Sequence, residues 1–142
     1  MRITVNHFKK LTRAEGDRLN ASSGWDSEPR FTRYADITMS AKIEAVIEAL
    51  TEWDEYDIVA DMEVADLDDA FVKSNSIDRS WLENSEVTFT EATKARSSSV
   101  GDIFSDPDSG KYWLIENIGF TDITDKVNAA YNGKVKSSKD VS

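Results

Sequence analysis

The sequence predicts an α+β fold, one domain built on a mixed or antiparallel sheet with two or three helices packed on one face. Three observations carry this. A chain of 142 residues with 39% hydrophobic content, including six Phe, four Trp and four Tyr, is long and apolar enough to bury a core without disulfides, and it has no cysteine to form one. Segments with apolar residues at every second position are interspersed with segments repeating at i, i+3, i+4 and i+7, the periods of strands and helices. No repeat of fixed period and no linker divides the chain, so residues 1–132 read as a single unit.

Ile3, Val5 and His7 alternate with polar neighbours and predict a strand over 2–8. Thr12 with Glu15 forms an S/T-x-x-E capping box, predicting a short helix to about Leu19. Residues 20–29 have loop composition, with Trp25 as their one anchor. Phe31, Arg33, Ala35, Ile37 and Met39 alternate against Thr32, Tyr34, Asp36 and Thr38, which predicts a strand over 31–39 ended by Ser40, the cap of the next helix. That helix, 41–52, is the clearest in the chain, because Ile43, Val46, Ile47 and Leu50 make one apolar stripe.

Tyr56, Ile58, Ala60, Met62 and Val64 then alternate with mostly acidic residues, predicting a strand with an acidic outer face. Asp66 precedes Leu67, Ala70 and Phe71 as the cap of a helix reaching about Asn75. Val87 and Phe89 mark a short strand. The turn chemistry of 106–110 between Ile103-Phe104 and 112–115 marks a β-hairpin. Residues 133–142 hold two valines among Lys, Ser and Asp and predict a mobile tail.

The net charge of -10 is unevenly spread. Residues 1–43 carry eight Lys/Arg against five acids, and 92–142 carry seven of each, whereas 44–91 carry fifteen acids against Lys73 and Arg79. On average the chain repels nucleic acid and anionic lipid, and direct binding to either is not expected. No apolar run reaches the length of a signal peptide core or a membrane span, which predicts a cytoplasmic protein without a membrane partner.

No motif for catalysis, cofactor or metal emerges, and none is expected. His7 is the only imidazole and reads as a packed strand-end residue. The D-x-D-x-G of 106–110 lacks the further oxygen ligands of a calcium loop, and Asp66, Asp68 and Asp69 do not converge on a helix. The stretch 97–102 has too few glycines for a phosphate cradle; Ser99 and Asp102 bracket a turn through Gly101, with Arg96 available to pair an acid.

The stretch Ala95-Arg96-Ser97-Ser98-Ser99-Val100-Gly101-Asp102-Ile103-Phe104, followed by Gly110, Tyr112-Trp113 and Gly119-Phe120-Thr121-Asp122-Ile123, resembles the C-terminal module of YodL-like small proteins of phages, plasmids and integrated elements. The run 67–81, with its helix, Asn75 and Trp81, is similar to the segment that precedes that module. The resemblance implies a mobile-element setting and supplies no catalytic residues to carry over.

Two functions from different classes follow. In the first, the protein is an acidic accessory factor that binds a host or element-encoded protein with a basic surface, using Glu44, Glu48, Glu52, Asp54, Glu55, Asp57, Asp61 and Glu63. A continuous row of these carboxylates would imitate the phosphates of a duplex. In the second, Arg96, Tyr112 and Trp113 line a pocket for a small ligand or substrate, with Arg96 clamping a carboxylate or phosphate.

Overall fold

Strand β1 (Arg2–Phe8) occupies the middle of a six-stranded antiparallel sheet with order β3-β2-β1-β4-β5-β6. The others are β2 (Tyr56–Glu63), β3 (Val87–Thr90), β4 (Ile103–Asp106), β5 (Lys111–Ile115) and β6 (Phe120–Asp122). The computed structural model describes residues 1–11, 14, 15, 17, 29–75, 80–92 and 94–141, with side chains as far as Asn132. The capping box at Thr12, most of the helix expected after it and the Trp25 loop lie outside the described residues, apart from Pro29. The fold is the single-domain α+β class that the sequence predicts.

Among the elements described in full, the helices that join the strands are α1 (Pro29–Ser40), α2 (Ile43–Thr51), α3 (Leu67–Lys73) and α4 (Thr124–Val141). One sheet face meets α1, α2 and α4 over a core of Phe8, Ile37, Val46, Tyr56, Leu114 and Val127. The other face carries a second core, in which Val5, Met62 and Phe104 meet Ala70 of α3 and Trp81 of a short 3-10 turn. Both faces are therefore covered, the first by three helices. Full burial of side chains such as Phe8 and Ile37 contributes about 1.5–3 kcal/mol each.

A bulge decides which residues reach which core. Val5 pairs with Ala60 but Asn6 pairs with Ile58, so Val59 is the extra residue on β2. Strict alternation would place Tyr56, Ile58, Ala60, Met62 and Val64 on one face. Instead, Tyr56 enters the first core, Val59, Ala60 and Met62 enter the second, and Ile58 is 56% exposed.

The strand expected over 31–39 is corrected to helix α1. Its residues fit both periods, and the helical one wins because it places Phe31, Tyr34, Ile37 and Ala41 inward together, while Met39, assigned to the apolar side of a strand, is exposed. Pro29 suits a first helical turn, and the Thr38 hydroxyl donates back to the Tyr34 carbonyl at 2.7 Å. The helix ends at Ala41, whose φ of 48° is left-handed and whose amide donates to Ile37 O. Ser40 therefore closes α1 and does not cap α2, whose N-cap is Lys42 with no side-chain bond.

Helix α2 and β2 fall where their patterns place them. Asp66 caps α3, accepting from the Asp69 amide at 2.8 Å. The β4–β5 hairpin turns at 106–110, where the Asp106 carboxylate accepts from the Asp108 amide at 2.9 Å. The backbone of 133–141, expected as tail, continues helix α4 to Val141. Among the described residues no helix is long and apolar enough to cross a membrane.

Gly101 holds the two layers together at close range. Its φ is +93°, and a Cβ there would stand 2.7 Å from Ile37 Cγ2 and 2.8 Å from Ile37 O. The left-handed backbone costs a non-glycine residue about 1–2 kcal/mol before the clash is added. Gly101→Ala is accordingly expected to lower the urea midpoint by the equivalent of at least 2 kcal/mol, roughly, at unchanged m-value. A midpoint within error of the wild type would show that α1 does not press on this loop.

Candidate functional site

The segment from Arg96 to Asp102 leaves the second core, turns at Val100-Gly101 and enters β4, which places Asp102 beside the end of β1. Asp102 is fully buried. Its carboxylate accepts from Arg96 Nη1 at 2.6 Å and Nη2 at 2.7 Å, and from the backbone amides of Phe8 and Ser99, each at 2.8 Å. Arg96 donates further to Ser97 O, Ser99 Oγ and Phe8 O. The guanidinium is thus committed to the fold and presents no free fork to a ligand.

Around this pair the bonds continue. Gly101 N donates to Ile115 O, Ile115 N donates to Asp102 O, and the Tyr56 hydroxyl donates to Gly101 O at 2.6 Å. Burial pushes the Tyr56 phenol well above its ordinary pKa, and the Asp102 and Glu55 carboxylates add to the shift. Trp81 Nε1 donates to Arg96 O at 2.8 Å, and Ser98 N donates to Ser74 O after α3. The pairing of Arg96 with a nearby acid was legible in the sequence; its connection to β1, α3 and Trp81 was not.

His7, Ser98 and Asp102 have the composition of a nucleophile, base and orienting acid, but not the geometry. Ser98 Oγ lies 3.0 Å from His7 Nε2, and Asp102 Oδ2 lies 3.9 Å from the same nitrogen. A working triad needs the acid and the nucleophile on opposite ring nitrogens. All three residues are also buried, and the acid is neutralised by Arg96. Burial lowers the His7 pKa to about 4, with Asp102 opposing the shift and Arg96 and Lys10 adding to it.

The remaining pocket residues do not join Arg96. Tyr112 and Trp113 are successive on β5, so Tyr112 packs against the first core and Trp113 against the second. The structure does not bring the three into one pocket.

The acidic candidates separate into three groups. Glu44, Glu48 and Glu52 form an exposed row along α2 and beyond its last turn, and Asp54 follows in a left-handed turn with φ 50°. Glu55 is buried: Arg33 Nε donates to Oε1 at 2.7 Å, and Arg30 Nη1 lies 2.8 Å from Oε2. Asp57 faces Lys9 at 3.6 Å, Asp61 is held by Arg2 at 2.9 Å and Thr4 at 2.6 Å, and Glu63 faces the N-terminal amine at 3.4 Å. The carboxylates of β2 therefore do not extend the row on α2.

Beside that row runs a groove of about 550 Å³ between α2 and α4. Ile43, Ile47, Trp53 and Ala130 supply its apolar wall, and Glu44, Glu48 and Glu52 rim it, with Lys126 opposite. Trp53 is 57% exposed and stacks under Arg33 at 4.8 Å. The alternation of glutamates with the α2 stripe was visible in the sequence; the groove depends on α4 and was not.

The chain matches no family model, and neither a curated protein nor a solved structure is significantly similar to it.

Two measurements check the Asp102 assembly. Asp102→Ala leaves Arg96 uncompensated and two amides without an acceptor, and is expected to cost about 3–5 kcal/mol in chemical denaturation. His7 predicts a pH dependence. Its folded pKa of about 4 lies below the unfolded value of 6.5, so the unfolded state binds the proton first as pH falls. Stability should drop by roughly 3 kcal/mol between pH 6.5 and 4 from this residue. A His7→Gln variant should lose that part of the slope in thermal melts; an unchanged slope would assign it elsewhere.

Proposed function

We propose that this protein is a small binding module, an accessory factor of a phage or other mobile element, that holds a Lys/Arg-rich amphipathic segment of another protein in the groove between α2 and α4. The observation that carries this reading is an apolar wall bordered by carboxylates the fold does not use. Glu44 and Glu52 have no ion-pair partner among the described residues, and Glu48 shares Arg33 only at 3.7 Å. Like charges at i, i+4 cost a helix a few tenths of a kcal/mol, so the row does not serve α2 itself. A helix presenting apolar residues at i and i+4, flanked by Lys or Arg, matches both the wall and the rim.

The resemblance of 95–123 to the YodL-like module supports the mobile-element setting. Imitation of a duplex is the less favoured form of this reading, because the exposed row ends at Asp54 and Glu55 is already paired with Arg30 and Arg33.

Selection of peptides from a random helical library against the intact protein tests the proposal. Enriched peptides should carry a net positive charge with an i, i+4 apolar pair. Their affinity should fall at least tenfold in a Glu44→Lys/Glu52→Lys variant and fall with added salt. Enrichment without charge bias, or equal affinity for the variant, would reject the groove as the binding surface.

A further inference from the structure

Several clefts of this acidic protein are lined by more carboxylates than cations, but one, with a small hollow beside it, reverses the balance. It lies where β1 and β2 meet the chain after β3, has a volume of about 570 Å³, and is lined by Lys9, Lys10, Lys94 and Arg96 against Asp57 and Glu91. A smaller adjoining hollow of about 400 Å³ shares Lys94 and Arg96, adds Ser80 and has no carboxylate in its lining. Two of the cations are already satisfied, Arg96 by Asp102 and Lys9 by Asp57. Lys10 and Lys94 have no carboxylate within 4 Å among the described residues.

Lys10 is the unusual one. It stands close enough to the Arg96 guanidinium for repulsion, and burial followed by that repulsion lowers its pKa. Lys10 and Lys94 are both exposed at this cleft, so their charges are open to an anion that enters it. Ile58, Val59, Ala92 and Ala95 give the same cleft an apolar side. Its volume falls in the range of small-molecule sites, which pair an apolar lining with a few convergent polar groups.

We propose that this cleft is a binding site for a small organic phosphate, with the phosphate held between Lys10 and Lys94 and the organic part against Ile58 and Ala92. Lysines that act as point charges suit a phosphate, whereas the one arginine fork present is occupied by Asp102. The site shares no residue with the groove of α2 and stands whether or not that groove binds a peptide.

The test is a titration of the isotope-labelled full chain with adenosine monophosphate, inorganic phosphate and adenosine at matched ionic strength, followed by amide shifts. Adenosine monophosphate should bind in a saturable way and move Lys10, Ile58, Ala92 and Lys94, inorganic phosphate should move Lys10 and Lys94 more weakly, and adenosine should move neither lysine. A Lys10→Ala/Lys94→Ala variant should bind adenosine monophosphate at least tenfold more weakly. Lys10→Arg, which keeps the charge, should retain most of the affinity, and dispersed amide shifts in the double variant show that its loss of binding is not unfolding. Linear, unsaturable shifts with both phosphates, or equal binding by the alanine variant, would overturn the proposal. So would far tighter binding of a short single-stranded oligonucleotide that displaces the mononucleotide, since it would make the cleft part of a polymer track.

Discussion

The buried carboxylate of Asp102 is the constraint on which the rest of this structure depends. A charge with no exposure is tolerable only if its lone pairs are filled, and donors from Phe8, Arg96 and Ser99 fill them. The Phe8 amide fixes the end of β1, the Ser99 amide fixes the turn, and Arg96 carries with it the carbonyl that receives Trp81. Because Gly101 precedes Asp102, the same bonds bring the loop against Ile37 of α1 and under the Tyr56 hydroxyl. The sheet, the helix layer and the second core are thus tied at one point. This gives a structural reason for Arg96, Ser98, Ser99 and Asp102 in this stretch that needs no ligand, since each of these side chains is bonded inside the protein.

The charge distribution follows a related logic. An excess of carboxylates in 44–91 looks uniform along the chain, yet the fold uses these groups unequally. Glu55 is drawn inward to pair with Arg30 and Arg33, which lets α1 bury Arg33. Asp61 and Glu63 hold the start of β1, and Asp66 caps α3. Among the carboxylates left exposed are Glu44 and Glu52, which have no ion-pair partner among the described residues and lie in a short row on α2 beside an apolar groove. At the opposite balance, Lys10 and Lys94 have no carboxylate partner among the described residues and line a cleft that also has an apolar side. Surface left over after the fold has satisfied itself is where binding free energy is available.

Much of the fold was legible because local patterns agreed with tertiary demands. The stripe of Ile43, Val46, Ile47 and Leu50 had one helical solution, Asp66 with Asp69 had one capping solution, and 106–110 had one turn solution. Residues 31–39 fitted two periods, and only the need to bury Phe31, Tyr34 and Ile37 together, with Arg33 against Glu55, selects the helix. The Val59 bulge was invisible because alternation continues through it in sequence while the side chains change face. The sites were less legible still. Tyr112 and Trp113 are neighbours in sequence and therefore opposite in a strand, and Arg96 meets its acid six residues on. The α2 groove needs α4, eighty residues away in sequence, and the Lys10 cleft needs Lys94, at a similar separation.

Amide hydrogen exchange at Phe8 and Ser99 tests the central claim most directly, because both protons are donated to Asp102. If this carboxylate ties the layers together, the two amides exchange only when the whole protein unfolds, with the same free energy as the interior of β1 and the same dependence on denaturant. Exchange of both amides through a local opening, several kcal/mol below global unfolding and independent of denaturant, would contradict the account and reduce Asp102 to an ordinary loop residue.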